Sequence, residues 1–326
     1  MIKRKILINV TKFFVTFSIL YFLVTSDRLN FETLMLYKES FWLFFFLFFI
    51  IVFWCLPITA FRWWLLLKSI RVQFSLLNAY ILTWVGYFFN LILPGAISGD
   101  IAKGYYIIKA NKNKSKTDVL MTLLIDRFIG LFGLVFLSFI GLLLNLKYFL
   151  ESPILKSLGL IIMGLFMSMV VFIILIFFQF KKVQNPFIKF LELLPGHKFL
   201  FKFYRALKLY QHKKRILFIA LLLSIMSHSG NLFIIHKISY LFEINNIEWH
   251  LLLSIIPLGL ITTAIPLAPA GIGVGHVAFA SLYNIIGNHN GADIFNLYTI
   301  LYLIFYSLGG ISYLIYREES DKVLSK

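Results

Sequence analysis

NLILPGAISGDIAKGY, Asn90 to Tyr105, breaks an apolar run that starts at Ser75 and has basic residues at both ends. Arg62, Lys68 and Arg71 precede the run, and Lys103 to Lys116 hold five more positive charges. Short loops rich in Lys and Arg stay on the cytoplasmic side when a membrane protein inserts. A single crossing from Ser75 to Ile97 would strand one basic segment on the far side, so the run is expected to enter the membrane and return. Leu93-Pro94-Gly95 supplies the turn, because proline removes a backbone donor and glycine permits the sharp bend. Irregular backbone at membrane depth is tolerated where protein buries it, which makes this a re-entrant helical hairpin from the cytoplasmic side.

The opposite conflict occurs at Leu251 to Ile286. Its flanking loops are nearly free of Lys and Arg, and Pro266, Pro269, Gly271, Gly273 and Gly275 interrupt it, so a second hairpin is predicted from the outer side. Six further runs, near 6 to 24, 41 to 61, Val119 to Leu146, Ser157 to Phe180, Ile216 to His236 and 294 to 316, are long enough to cross a hydrocarbon core of about 30 Å as helices. Of the 31 Lys and Arg, 24 fall in segments that this topology places inside, which puts both termini in the cytoplasm. The expected fold is all-α and integral to the membrane, with six transmembrane helices plus two re-entrant helical hairpins in an inverted-repeat arrangement. One membrane domain covers 1–326, with a first half at 1–146, an inverted second half at 157–316 and a basic cytoplasmic loop at 181–215. Eight full crossings with proline kinks are the alternative. In inverted-repeat transporters, broken segments at corresponding positions of the two halves mark a substrate site near the midplane.

Composition narrows the function classes. The chain is 60% hydrophobic and 14% charged, where soluble domains carry roughly 25% charge. The net charge of +17 therefore reads as topology, and no nucleic-acid partner is expected. Cys55 is the only cysteine and lies in an apolar run, which excludes an internal disulfide and gives it a packing role. No glycine-rich nucleotide loop and no metal-spaced set of His or Cys occurs, so neither cofactor nor metal is expected. Met1 to Lys5 precede an apolar stretch too long for a secretory signal and read as the start of an uncleaved first helix. Lys181 to Arg215 carries ten Lys or Arg and one Glu among several Phe, the mix of a helix lying on the cytoplasmic face against anionic lipid. A topogenic role alone is the competing reading.

The returning half-helix after Pro94-Gly95 would present free amides around Gly99 deep in the membrane, and such an end attracts anions. The outer hairpin repeats the device in IPLAPAGIGVGHVAFASLY, Ile265 to Tyr283, where the returning arm should start near Gly271 to Gly275. Two such ends facing one another would favour a lipid phosphate, whereas close helix packing by small residues is the bland reading. Asp126 and Arg127 lie about 10 Å into their span, where a charge needs a partner or a wet cavity. Asp100 and Lys103 are their expected partners. Arg62, beside Trp63 and Trp64, reads as an interfacial anchor within reach of a headgroup. Asn90 is placed to bond freed backbone groups or ligand. His276 heads the outer half-helix as a headgroup contact or titratable group. His228, with Ser224, Ser227 and Asn231 about one turn away, reads as a satisfied interhelical hydrogen bond. None of these residues is assigned a catalytic role.

At these positions the chain resembles the flippase-like membrane domain that forms the membrane half of bacterial lysylphosphatidylglycerol synthases and also occurs in free-standing proteins. The resemblance spans nearly the whole chain and rests on Arg62 with its tryptophan neighbours, Asn90 to Tyr105, Asp126-Arg127 and Pro266 to Gly275, in that order. Ser98 and Lys103 depart from the pattern, standing where a second glycine and an arginine are usual, and His276 stands where an acidic residue is common. A compact ammonium does not replace a bidentate guanidinium at a phosphate. The resemblance implies a bacterial inner-membrane protein that moves an anionic phospholipid or lipid-linked saccharide between leaflets, with membrane lipids as partners. It does not imply aminoacyl transfer, since no stretch here is long and polar enough for the soluble half of the synthases. Two other readings stay open. A membrane enzyme performing glycosyl or phosphoryl transfer on lipid-linked substrates would use Asp100 with Asp126, the plausible inner carboxylate pair. A scaffold would dock a separate cytoplasmic or membrane synthase through Lys181 to Arg215.

Overall fold

Apolar run length and the breaks between runs set the helix boundaries. The computed structural model describes residues 35–92, 98–111, 115–177, 210–242, 248–264 and 271–324, and every regular element among them is helical. In chain order these are α1 (Phe41–Ser69), α2 (Leu76–Ile92), α3 (Ser98–Ala110), α4 (Lys116–Leu144), α5 (Pro153–Phe177), α6 (Lys214–Tyr240), α7 (Trp249–Thr263), α8 (Val274–Ile285) and α9 (Gly291–Leu324). Short helical pieces at Met35–Glu39 and Leu146–Glu151 join them. The expected span near 6 to 24, the turn with Pro94 and Gly95, residues 181–209 of the basic loop, and Pro266 and Pro269 lie outside the described residues.

Five helices, α1, α4, α5, α6 and α9, are long and apolar enough to span a membrane. The arms α2 and α7 have 17 and 15 residues, about 25 Å or less at 1.5 Å per residue, short of a core of about 30 Å. In α1 the segment Ile51–Cys55 widens into a π-turn just before Pro57. Proline has no N–H and its ring crowds the carbonyl four residues back, and the wider turn accommodates both. Ser115 starts α4 as N-cap by accepting from the Asp118 amide at 3.4 Å, with the Asp118 carboxylate in the positive first turn.

Each short pair closes on itself, α2 on α3 and α7 on α8. The first arm of each pair then crosses over: α2 packs on α9, and α7 packs on α4. The second arms stay with the span that follows them, α3 on α4 and α8 on α9, and α1 packs on α6. Exchanging α1 to α4 with α6 to α9 maps these pairings onto themselves. Hydrogen bonds pin the crossovers, which matters because helices in lipid associate by packing and polar contacts and not by a hydrophobic drive. Trp84 Nε1 donates to the Phe305 carbonyl at 2.8 Å between α2 and α9. Between α4 and α7, Ser138 Oγ donates to the Ser254 carbonyl at 2.9 Å, and Asn145 Nδ2 at the end of α4 donates to the His250 carbonyl at 2.8 Å. The main core joins Leu47 and Leu56 of α1 to Ile234, Ile255, Phe279 and Phe305, residues far apart in sequence.

Candidate functional site

Arg62 turns inward from α1. Its side chain is 8% exposed, and its Nε donates to Asp126 Oδ1 at 2.7 Å while Nη2 donates to Oδ2 at 3.1 Å. This overturns the interfacial-anchor expectation. The packing of α1 on α4 brings a carboxylate into reach, and a bidentate pair is the way to keep a guanidinium buried at low cost. Trp63 is buried beside it, and Trp64 donates through Nε1 to the Phe74 carbonyl at 2.8 Å.

Asp100 and Lys103 sit in the first turns of α3. One Asp100 oxygen accepts from Lys103 Nζ at 2.9 Å and the other accepts from Arg127 Nε of α4. Lys103 is buried, with its ammonium 4.7 Å from the centre of the Trp63 ring. The hairpin therefore captures Arg127 as the sequence led one to expect, but Asp126 goes to Arg62. Adjacent residues of one helix point about 100° apart, so the two charges face different neighbours.

One amide at the start of each of α3 and α8 is occupied from within the chain. Asn90, at the end of α2, accepts the Gly99 amide at 2.8 Å and the Ser98 hydroxyl at 3.2 Å through Oδ1. It caps α3 from the opposite arm. At α8 the N-cap is Gly273 at φ +89°, a conformation that favours glycine, and its amide donates to His276 Nδ1 at 3.3 Å. His276 is buried with its ring edge-on to Phe295 at 4.9 Å. Gly275 leaves room for the same Phe295 ring, and Gly271, also at positive φ, sits against Thr263. Interactions at Ser98 to Asp100 run to α2, to α4 and to Lys103 of α3 itself, and those at His276 run within α8 and to α9. Replacing Asn90 by alanine is expected to cost about 1 kcal/mol, the usual value of an N-cap. Thermal unfolding in detergent reads this, and an unchanged midpoint would mean that the cap is idle.

A polar cavity of about 110 Å³ lies between α1, α2, α4, α6 and α9, lined among others by Thr59, Arg62, Tyr87, His228, Asn231 and Tyr302. His228 Nε2 lies 3.1 Å from the Gly130 carbonyl, and Asn231 Oδ1 accepts from the hydroxyls of Tyr298, at 3.1 Å, and Tyr302. Ser224 Oγ donates to the Ile129 carbonyl at 3.1 Å, and Ser227 Oγ lies 2.9 Å from the Thr59 hydroxyl. The interhelical role read for His228 and its neighbours is what these bonds perform. The tyrosines went unnoticed in the sequence because 16 Tyr and 37 Phe are spread along it. The one available signal was Tyr298, Tyr302 and Tyr306, four apart on one face of α9.

A family model described as the lysylphosphatidylglycerol synthase TM region matches residues 9–310. The chain belongs to this family. No curated protein and no solved structure matches it. As a lysylphosphatidylglycerol synthase TM region it is a multi-pass membrane protein, with an ionic cluster between its helices. In that TM region Arg62, Lys103 and Arg127 face two carboxylates, Asp100 and Asp126, so among the described residues the cluster has one positive charge in excess. Its accessible edge is Arg127, whose side chain is 33% exposed against 8–14% for the other four.

Proposed function

We propose that this chain is a lipid flippase that moves an anionic phospholipid or lipid-linked saccharide between leaflets, with the headgroup phosphate held at Arg127 beside the first half-helix end. The excess positive charge of the buried cluster carries this reading. Unbalanced charge within a membrane segment is costly and marks a substrate pathway or a missing partner. A phosphodiester brings the single negative charge that balances the five residues, and Arg127 at the accessible edge can meet it with guanidinium N–H groups that Asp100 does not use. On this reading the α2/α3 and α7/α8 pairs are re-entrant hairpins, the halves are inverted repeats, and six spans cross the membrane. The short arms and the symmetric crossover of α2 and α7 support that arrangement. The Lys and Arg bias puts the cluster toward the cytoplasmic side, with both termini there. The enzymatic alternative draws less support, because both Asp100 and Asp126 already accept from cations.

The test is leaflet-resolved movement of a fluorescent anionic phospholipid in proteoliposomes, wild type against Arg127→Ala. Protein-dependent movement that falls at least about tenfold in the variant is expected, since one charge-assisted contact to phosphate contributes more than 1.4 kcal/mol. Folded wild-type protein that leaves several anionic and polyprenyl-linked lipids in place would overturn the proposal. So would a variant as fast as wild type.

A further inference from the structure

α5 and α6 both pack on α4 but make little contact with one another, and a groove of about 350 Å³ lies between the three helices. Ile129 and Phe132 of α4 form its floor, Ile173 and Ile174 of α5 one wall, and Leu217 and Phe218 of α6 the other. Ile174 is 56% and Phe218 61% exposed, so among the described residues the groove opens toward the membrane. Its α6 wall runs from Lys214 to Leu221, a rise of about 10 Å. Every lining residue is apolar except Lys214, the first residue of α6. The groove therefore has an apolar body and a charged end.

Positive charge gathers at that end. Lys213, the N-cap of α6, makes no side-chain hydrogen bond to the helix, and its ammonium donates instead to the Ser69 carbonyl. Burial and then the Arg71 guanidinium hold the Lys213 pKa below its usual value, as happens where like charges crowd together. The first turn of α6 has no acidic residue to offset the positive end of the helix dipole. From Leu193 to Arg215 the sequence holds seven Lys or Arg and no Asp or Glu.

Apolar walls alone name no ligand, because lipid tails cover any exposed helix face in a membrane. The charged end does. A segment of the basic 181–215 loop, or a second copy of a chain whose net charge is +17, would bring charge of the same sign to Lys213, Lys214 and Arg71. A phospholipid with a negative headgroup brings the opposite sign together with a hydrocarbon chain, and basic residues at a membrane surface attract such lipids.

We propose that this groove holds one acyl chain of a resident anionic phospholipid whose phosphate sits at Lys214, and that this lipid ties α5 to α6. It stays with the protein and is not the lipid that moves. Arg127 meets Asp100 of α3 on another side of α4, so the proposal goes beyond the flippase reading and does not rest on it.

The experiment is photo-crosslinking of the full chain in phosphatidylcholine nanodiscs. A small fraction of the lipid is phosphatidylglycerol, or in the parallel sample phosphatidylcholine, with a diazirine midway along one acyl chain, and mass spectrometry locates the label. Label on Ile173 to Ile174 and Leu217 to Leu221 should be about fivefold or more stronger from the glycerol lipid, and Lys214→Gln should remove most of that preference. Nine of the ten positive charges of 181–215 remain in this variant, so the loop keeps its side of the membrane. Ile173→Trp fills the groove and leaves every charge in place, and it should reduce the label on Leu217 to Leu221 several-fold. A lipid held by surface charge alone would be indifferent to Ile173→Trp, and that result overturns the proposal. A preference that survives Lys214→Gln in folded protein does the same. Equal label from the two lipids on wild type, or walls that take label from neither, overturns it whether or not either variant folds. Lipid movement in proteoliposomes tests the flippase reading separately, and its absence leaves this labelling pattern as expected.

Discussion

Asp126→Leu is expected to cost about 3–5 kcal/mol of folding stability, because it leaves the Arg62 guanidinium buried without its carboxylate. The two side chains are each 8% exposed and share two hydrogen bonds, so water cannot take the place of the lost oxygens. Removing both charges should be milder. The double variant Arg62→Met/Asp126→Leu replaces the pair with apolar groups of similar length and should recover at least half of the loss, since no charge is then left uncompensated. Reversible unfolding in mixed micelles measures the cycle. If the single variant falls within about 1 kcal/mol of wild type, the pair resembles a solvated one and the buried cluster is not as described.

Gly99→Ala should disrupt the α2/α3 hairpin. A Cβ at Gly99 would lie 2.0 Å from the Gly86 carbonyl oxygen, 2.7 Å from its carbon and 2.9 Å from Asn90 Oδ1. Two of these atoms are backbone of the facing arm, so no rotamer change relieves the clash and the arms must part. The expected cost exceeds the roughly 1–3 kcal/mol of ordinary overpacking. Separation would also withdraw Asp100 from Arg127, so lipid movement should be lost together with stability. Gly164→Ala is the matched control, because nothing lies within 4 Å of its added methyl, and it should be neutral or slightly stabilising. A Gly99→Ala protein that unfolds at the wild-type temperature would show that the arms do not pack backbone to backbone.

The two substitutions separate what is local from what is not. The length of each apolar run is a property of consecutive residues, and it was enough to place both ends of α4, α5 and α6 and the starts of α1 and α9 to within a few residues, while α1 runs on to Ser69 and α9 to Leu324, past the ends expected near 61 and 316. The two interrupted runs are short pairs of helices, α2/α3 and α7/α8, with Gly271 and Gly273 at positive φ just before α8, a conformation set by the residue itself. Membership in the lysylphosphatidylglycerol synthase TM family followed from the same motifs in order. Long-range pairing was legible only where cost narrowed the choice: Arg127 needed a carboxylate and Asp100 was the natural one.

The sequence by itself determined the helices, their interruptions, and the residues too polar for lipid to leave alone. Tertiary structure decided that Arg62 faces inward to Asp126, that Asn90 accepts the Gly99 amide and His276 the Gly273 amide, and that Tyr302 of α9 closes a polar cavity against α6. The reason is that a helix shows several faces and a partner is chosen by which faces meet. Residues 62 and 126 come together through the packing of α1 on α4, and residues 231 and 302 through the packing of α6 on α9. No periodicity along the chain records those meetings.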